Sequence, residues 1–443
     1  MYRIIESELL KWQKQGDRLP LIIRGARQVG KSFTIEKFGR ENFKNLVILN
    51  FELQPDFVSC FESLDPDRII SRIELMTEKD VIDGETLLFL DEIQQCPQAL
   101  LALRYFKEKR AGLHVIAAGS LLEFALKEES FSFPVGRVMF LYMRPLSFYE
   151  FLLNAGNNKL LQVIENISLN QPMDLYMHEF TLKLVREYML VGGMPAVVSR
   201  YLETKSFLEV HRLQSALLES YRNDFGKYAS KAQFKYLQKF FDKAPFLVGT
   251  NFKYVKVDPE ARSRELKVAL EQLCWTGLVK RVFQTAANGI PLEAEVNERK
   301  FKLVFLDIGL MQNANKIDPT IILTEDIWQV NEGALAEQFV GQELLAYGNS
   351  YESTNLYYWE REQVSSTAEV DYVAQVATKI VPIEVKAGKG GHLKSLKQFM
   401  AEKKSAVGIR VSQNPLEKKE KIVNLPLYLI YQLKKVIMEA VKD

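Results

Sequence analysis

The chain is poor in the residues that staple small folds together. Only 3 cysteines (Cys60, Cys96, Cys274) and 4 histidines occur among 443 residues, and no two cysteines form a CxxC pair. That excludes a disulfide framework and a structural zinc site, and it points to a reducing, cytoplasmic setting. No run approaches the roughly 18 consecutive apolar residues of a membrane helix, so no membrane partner is expected. The opening stretch, MYRIIESELLKWQKQ, interleaves charges with apolar positions and lacks the apolar core of a secretory signal. There is no internal repeat and no low-complexity tract. What is present is a globular composition, 47% hydrophobic and 26% charged. At this length two or three domains are expected, because single cores stop growing near about 250–300 residues.

Net charge is only +2 but is unevenly placed. Residues 378–443 carry 14 Lys+Arg against 6 Asp+Glu, leaving 44 against 50 elsewhere. A basic end on an acidic body suits a polyanion partner such as DNA or another nucleic acid. A solvated lysine-rich surface would give the same count.

From about residue 19 to 145, β-rich runs alternate with helical stretches. The runs are Leu19–Arg24, Leu46–Glu52, Leu87–Leu90, His114–Ala118 and Val138–Met143. This pattern predicts an α/β domain with a mainly parallel sheet covered by helices on both faces. Residues 147–245 read as helical, interrupted by the turn Val191-Gly192-Gly193-Met194-Pro195. Residues 246–312 read as helix, helix and wing: Arg264–Trp275 leads past Gly277 into strands Leu278–Gln284 and Phe301–Leu306. A final α+β unit begins near 325. The expected domains are 1–150, 151–320 and 321–443.

Gly25-Ala26-Arg27-Gln28-Val29-Gly30-Lys31-Ser32 matches the P-loop pattern GxxxxGK[ST]. Its glycines let backbone N–H groups wrap phosphates at a helix N-terminus. Lys31 would reach the β- and γ-phosphates and the Ser32 hydroxyl would ligate magnesium. Pro20–Ile23 supplies the strand before the loop and Ser32–Phe38 the helix after it. The apolar strand Thr86–Leu90 ends in Asp91-Glu92, so Asp91 is expected to hold magnesium and Glu92 to activate water. ATP and Mg2+ are the expected cofactors, with ATP preferred to GTP because no N/TKxD guanine-reading motif is found. Ser120, after strand His114–Ala118, reads either as a γ-phosphate sensor or as the N-cap of a helix Leu121–Leu126. Arg137 reads as an arginine finger, in cis or from a neighbouring subunit of a homo-oligomer, with Arg144 as its competitor.

Together with GARQVGKS and LLFLDEIQ, the stretches AAGSLLE, GRVMFLYMRPLSFYEFL, VGGMPAV, FLDIGLM, and EVDYV followed by PIEVKAG span residues 25–388. In these the chain resembles a prokaryotic group of AAA-type P-loop ATPases with a C-terminal domain of unknown function. The resemblance implies an AAA/ASCE-type core, a helical and winged-helix middle, and an end similar to restriction-endonuclease-like (PD-(D/E)xK) nucleases.

The C-terminal residues can be read on their own. Val370–Val376 and Ile380–Val385 predict a tight hairpin, with Glu384 and Lys386 on one face of their strand. A two-residue turn at Ala377-Thr378 would set Asp371 opposite Glu384, and one at Thr378-Lys379 would set it opposite Lys386. A three-residue loop would turn Asp371 to the other face. Glu337 falls inside the apolar stripe Ala334, Val340, Leu344, Leu345 of a helix Gly333–Ala346, where a lone carboxylate costs free energy unless paired. Glu337, Asp371, Glu384 and Lys386 are a set that magnesium-assisted phosphodiester cleavage could use. A surface hairpin with a Glu–Lys pair and a buried ion pair accounts for the same residues. The helix Arg264–Trp275 shows Arg264 and Lys267 beside Glu265 and Glu271, a mixed face that favours protein contact over DNA. Three functions follow: a nucleic-acid-directed ATPase using basic residues such as Lys389, Lys394 and Lys397; an ATP-driven protein switch with an inactive C-terminal scaffold; and a nuclease gated by ATP.

Overall fold

Apolar runs buried on both faces make the first sheet. Strands β1 (Leu21–Arg24), β2 (Asn45–Asn50), β3 (Thr86–Asp91), β4 (His114–Ala118) and β5 (Met139–Tyr142) pair in parallel in the order β2-β3-β4-β1-β5. The period of two sorts their side chains. Leu21, Ile23, Leu87, Phe89, Ile116 and Ala118 face one core. Ile22, Leu88, Leu90, Val115 and Ala117 face the other. Helices α1 (Ile5–Gln13) and α2 (Lys31–Asn42) cover the first face through Leu9, Trp12, Ile35 and Phe38. Helices α3 (Pro66–Thr77) and α4 (Pro97–Lys109) cover the second through Ile69, Ile73, Leu103 and Phe106. This computed structural model describes residues 1–120, 122, 136–227, 229–316, 332–362, 368–388, 390 and 392–442. Apart from Leu122, the helix expected over Leu121–Leu126 lies outside the described residues, as does Lys389.

The middle is helical, as its periodicity predicts: α5 (Phe148–Asn154), α6 (Asn158–Asn166), α7 (Leu175–Val191), α8 (Pro195–Thr204), α9 (Phe207–Asp224), α10 (Lys231–Leu247) and α11 (Ser263–Trp275). Helix α5 starts on a capping box in which Ser147 and Glu150 satisfy each other's backbone N–H. The strands after α11 are β6 (Val279–Thr285) and β7 (Val296–Phe305), an antiparallel pair. Helices α12 (Ile308–Ala314) and α13 (Glu332–Ala346) follow.

The hairpin does not stand alone. Strand β6 also pairs in parallel with β8 (Leu356–Glu360). An eight-stranded sheet then runs β12-β13-β11-β10-β9-β8-β6-β7, where β9 is Glu369–Val376, β10 Lys379–Val385, β11 Gly408–Ser412, β12 Glu417–Lys419 and β13 Ile422–Pro426. Hairpin and later strands therefore share one sheet across residue 320. Helices α14 (Lys394–Glu402) and α15 (Leu433–Lys442) complete the chain. The β9–β10 register pairs Val376 with Lys379 and Tyr372 with Ile383. The turn is thus Ala377-Thr378, the register that sets Asp371 opposite Glu384. The basic run Lys418-Lys419-Glu420-Lys421 lies at the sheet's edge strand, where charge discourages further strand pairing.

One core cluster joins the first face of the parallel sheet to the helical middle and the second sheet. Buried polar groups stitch the same boundary. Asp307 accepts from Gly193 N at 2.6 Å and Leu310 N at 3.0 Å. Glu343 accepts from Phe148 N at 3.0 Å and from the Tyr347 hydroxyl at 2.8 Å. Gln342 donates to the Tyr188 hydroxyl at 2.8 Å and accepts from Ile308 N at 2.8 Å. Among the described residues no helix is long and apolar enough to cross a membrane.

Candidate functional site

Strand β1 delivers the chain into a loop that only particular residues can follow. Gly25 has φ +152°, and a Cβ there would lie 2.1 Å from Met143 O. Gly30, at φ +91°, immediately precedes α2. Gln28 takes φ +63° and is exposed. Lys31 is buried, and its ammonium donates to Gly25 O and Ala26 O, each at 2.9 Å. Burial lowers its pKa to about 8, with the Glu92 and Asp91 carboxylates pulling the other way.

The acid-tipped strand lies two strands away and reaches the same point. Ser32 Oγ donates to Asp91 Oδ1 at 3.0 Å. Burial raises the Asp91 pKa, and the Ser32 bond opposes it. Glu92 follows in left-handed backbone, φ +50°, a conformation that costs free energy and clusters at functional sites. Its Oε2 accepts from Gln94 Nε2 at 2.6 Å and lies 3.5 Å from Ser120 Oγ. Gly25–Ser32, Asp91, Glu92 and Ser120 are thus brought together at the C-terminal edge of the sheet.

Arg137 is not. It precedes the N-terminal end of β5, which runs parallel to β1, so it stands at the sheet edge opposite the loop. There it pairs with Glu108 at 3.1 Å, about half exposed. The cis arginine-finger expectation is corrected on that geometry. Arg144, beyond the other end of β5, borders a cavity of about 330 Å³ together with Gly25, Ala26, Ser120, Gly277 and Phe305. Burial lowers the Arg144 pKa to about 10.

Several supports were not foreseen. Arg3 is buried and holds the loop from behind, donating to Val29 O at 2.8 Å and Arg144 O at 2.5 Å while pairing with Glu150 at 2.9 Å. Asn50 ends β2 opposite Asp91 and donates to its Oδ2 at 2.9 Å. A polar residue ending an apolar strand beside Asp91 was a usable signal; Arg3 offered none. Arg27 pairs with Asp224 and with Glu52, and Tyr221 donates to Arg27 O at 2.8 Å, so α9 clamps the loop.

The C-terminal acids also converge, but on an unforeseen partner. Lys302 of β7, only 2% exposed, points its ammonium at Glu337 Oε2 (3.3 Å), Asp371 Oδ1 (3.6 Å) and Glu369. Asp371 Oδ2 accepts from Val385 N at 2.7 Å. Lys386 pairs with Glu384 Oε1 at 2.6 Å, while buried Glu384 Oε2 has no hydrogen-bond partner among the described residues. Burial raises the Glu337 pKa to about 8 and that of Glu384 to about 7, with Asp371 adding to both. As they stand, no three His, Cys, Asp or Glu side chains among the described residues are placed to hold a metal ion. The carboxylates fit an ammonium rather than a magnesium ion. Lysine inside the apolar run Phe301–Phe305 was the signal missed.

A P-loop on a parallel β2-β3-β4-β1-β5 sheet, facing an acid-tipped strand, defines an AAA-type P-loop ATPase core, and residues 17–152 match the family model described as AAA domain. Residues 182–320 and 332–430 match two models described as domains of unknown function, DUF8612 and DUF4143. The chain thus carries an AAA domain over residues 17–152, followed by two segments that match domains of unknown function. Among solved structures it is similar to the Walker-type ATPase PABY2304 of Pyrococcus abyssi, at 15% identity over 71% of this chain and 95% of that one, TM-score 0.46. The RuvB Holliday junction branch migration motor of Thermotoga maritima matches at 13% identity over 63% and 88%, TM-score 0.30. The ORC2 protein of Aeropyrum pernix matches at 13% over 73% and 93%, TM-score 0.22. No curated protein matches the chain.

Proposed function

We propose that the chain binds ATP with magnesium on the loop Gly25–Ser32, hydrolyses it, and passes its nucleotide state to the C-terminal domain. The observation that carries this is the meeting of Ser32 Oγ with Asp91 Oδ1 at 3.0 Å beside a buried Lys31. A hydroxyl and a carboxylate are the hard oxygen donors that magnesium takes, so Ser32 and Asp91 fit as its ligands. Bound magnesium would neutralise charge on the phosphate oxygens. Backbone N–H groups of Gln28–Ser32 would cradle the phosphates, and Lys31 would exchange the Gly25 and Ala26 carbonyls for phosphate oxygens. Glu92, held by Gln94 and near Ser120, is the group for orienting and deprotonating the attacking water. Arg137 remains available to this chemistry only as a finger supplied to a neighbouring subunit.

Transmission is supported by shared elements. Strand β7 carries Val304 and Phe305 on the cavity beside the loop and Lys302 in the acid cluster. Helix α13 carries Gln342 on the cavity and Glu337 in the cluster. ATP turnover by the full chain, with and without DNA, tests the coupling. Stimulation that weakens with salt and on neutralising Lys394 and Lys397 supports a nucleic-acid partner. Turnover indifferent to DNA supports the second reading, an ATP-dependent protein switch with a non-cleaving C-terminal scaffold. That second reading is favoured by one observation: an ammonium already sits among the acids that cleavage would use.

A further inference from the structure

A second cavity, of about 360 Å³, lies against the eight-stranded sheet and shares no lining residue with the one beside the nucleotide loop. Its floor is a strand edge. Strand β9 pairs with β10 as far as Val376, whereas β8 begins at Leu356 and first meets β9 where Tyr357 faces Val373. Ala374, Gln375 and Val376 therefore line the cavity with a strand neighbour on the β10 side alone. Such an edge presents backbone N–H and C=O groups to whatever lies beside it. The walls are aromatic: Tyr372, Tyr347 and Tyr431 border the same space, and the Tyr347 and Tyr431 rings stand 6.1 Å apart. Ala374 shares a face of β9 with Tyr372 and Val376, and its single methyl group leaves the space open. Thr354 Oγ1, also on the lining, is buried with no hydrogen-bond partner among the described residues. Lys434 is exposed at the rim. The one carboxylate of the lining, Glu293, accepts from Asn355 Nδ2 at 3.0 Å. With no histidine, cysteine or aspartate on its lining, the cavity is equipped to hold a molecule rather than to transform one.

We propose that this cavity is a nucleobase-binding site, taking a free nucleoside or nucleoside monophosphate with the base against the tyrosines and its polar edge along β9. A base has both surfaces that the site asks for. Its π-face stacks on aromatic side chains, and its edge carries donors and acceptors that a backbone edge can satisfy. The volume falls within the range of roughly 300–1,000 Å³ usual for small-molecule sites. A peptide added as a further strand would use the same edge, but Ala374–Val376 offers it only the shortest of strand lengths. Lys434 supplies the cation that a 5′-phosphate at the rim would meet. Binding here does not need the loop Gly25–Ser32, so it stands or falls apart from the ATPase reading.

The test is saturation-transfer NMR on the full-length protein with adenosine, guanosine, cytidine and uridine, and then with their 5′-monophosphates. At least one base should receive transfer at its ring protons, with a Kd below about 1 mM. Ala374→Trp fills the cavity and should abolish that signal. Tyr431→Ala should weaken binding about tenfold or more, while Tyr431→Phe, which keeps the ring, should stay within about threefold of wild type. Lys31→Ala should leave nucleoside binding unchanged. A monophosphate that binds better than its nucleoside, and loses that gain in Lys434→Ala, identifies the monophosphate as the ligand; equal binding of the two identifies the nucleoside. Transfer to none of the bases would overturn the proposal, as would transfer that persists undiminished in Ala374→Trp. Loss of nucleoside binding in Lys31→Ala would also overturn it, because the base would then sit at the nucleotide loop. Should Ala374→Trp fail to fold, the Tyr431 pair decides, and equal binding by the alanine and phenylalanine variants would refute the site.

Discussion

Replacing Arg3 by alanine tests whether the loop depends on a residue far from any nucleotide motif. Arg3 is 4% exposed and its side chain makes three contacts: Glu150 at 2.9 Å, Val29 O at 2.8 Å and Arg144 O at 2.5 Å. Its loss strands Glu150, also 4% exposed, which keeps only the Ile4 and Ser147 N–H donors, each at 2.8 Å. Breaking a buried pair in this way costs about 3–5 kcal/mol. Water entering the vacated space offsets part of the loss at the two carbonyls, so we take about 3 kcal/mol as the net effect on local opening. A chain of this size does not unfold in one step, so the assay is amide hydrogen exchange of the segment from the loop into α2. The expected result is faster exchange in that segment by about a hundredfold or more. Arg3→Met combined with Glu150→Gln, which removes both charges, should recover much of the protection. Exchange within about threefold of wild type in Arg3→Ala would refute the reasoning.

Three further perturbations follow. Gly193→Ala places a Cβ 2.1 Å from Leu146 O, with no flexible side chain to yield; thermal unfolding should show a large loss of stability, and an unchanged midpoint would contradict it. Burial raises the Glu343 pKa to about 8, so the folded chain keeps a proton that the unfolded chain releases near its ordinary value of 4.5. Its contribution to stability is complete below that value and falls by about 1.4 kcal/mol per pH unit until the folded pKa is passed. Glu343→Gln should therefore gain on wild type as pH rises from 5 to 8, in unfolding measured at both ends. Asn50→Ala removes the amide that orients Asp91 and should lower ATP turnover by about tenfold or more while leaving the fold intact by circular dichroism.

Much of the ATPase core was legible because its information is local. Strands buried on both faces read as unbroken apolar runs, and the loop and the acid-tipped strand declare themselves in eight and seven consecutive residues. The geometry that joins them follows from the sheet order. What stayed hidden depends on distant pairing. Arg3 meets Glu150 across 147 positions, and Lys302 meets Glu337 across 35. The cis reading of Arg137 failed because its nearness to β5 says nothing about which end of the sheet it occupies. The stretches PLSFYEF, VGGMP and FLDIGL were singled out as a set, yet their shared purpose appears only in space. Leu146 N donates to Gly193 O at 2.7 Å and Gly193 N to Asp307 at 2.6 Å, so these turns lock one another. For the C-terminal acids, spacing along β9 and β10 located the carboxylates, but the strand that supplies their cation lies outside the segment in which they were found.

The most direct measurement is a comparison of magnesium–ATP binding and phosphate release by wild type, Lys31→Ala and Glu92→Gln. Wild type should bind and turn over ATP. Lys31→Ala should lose retention of the nucleotide, and Glu92→Gln should retain it while turnover falls by at least about a hundredfold. Undiminished turnover in either variant, or wild type that fails to hold ATP with magnesium, would contradict the account.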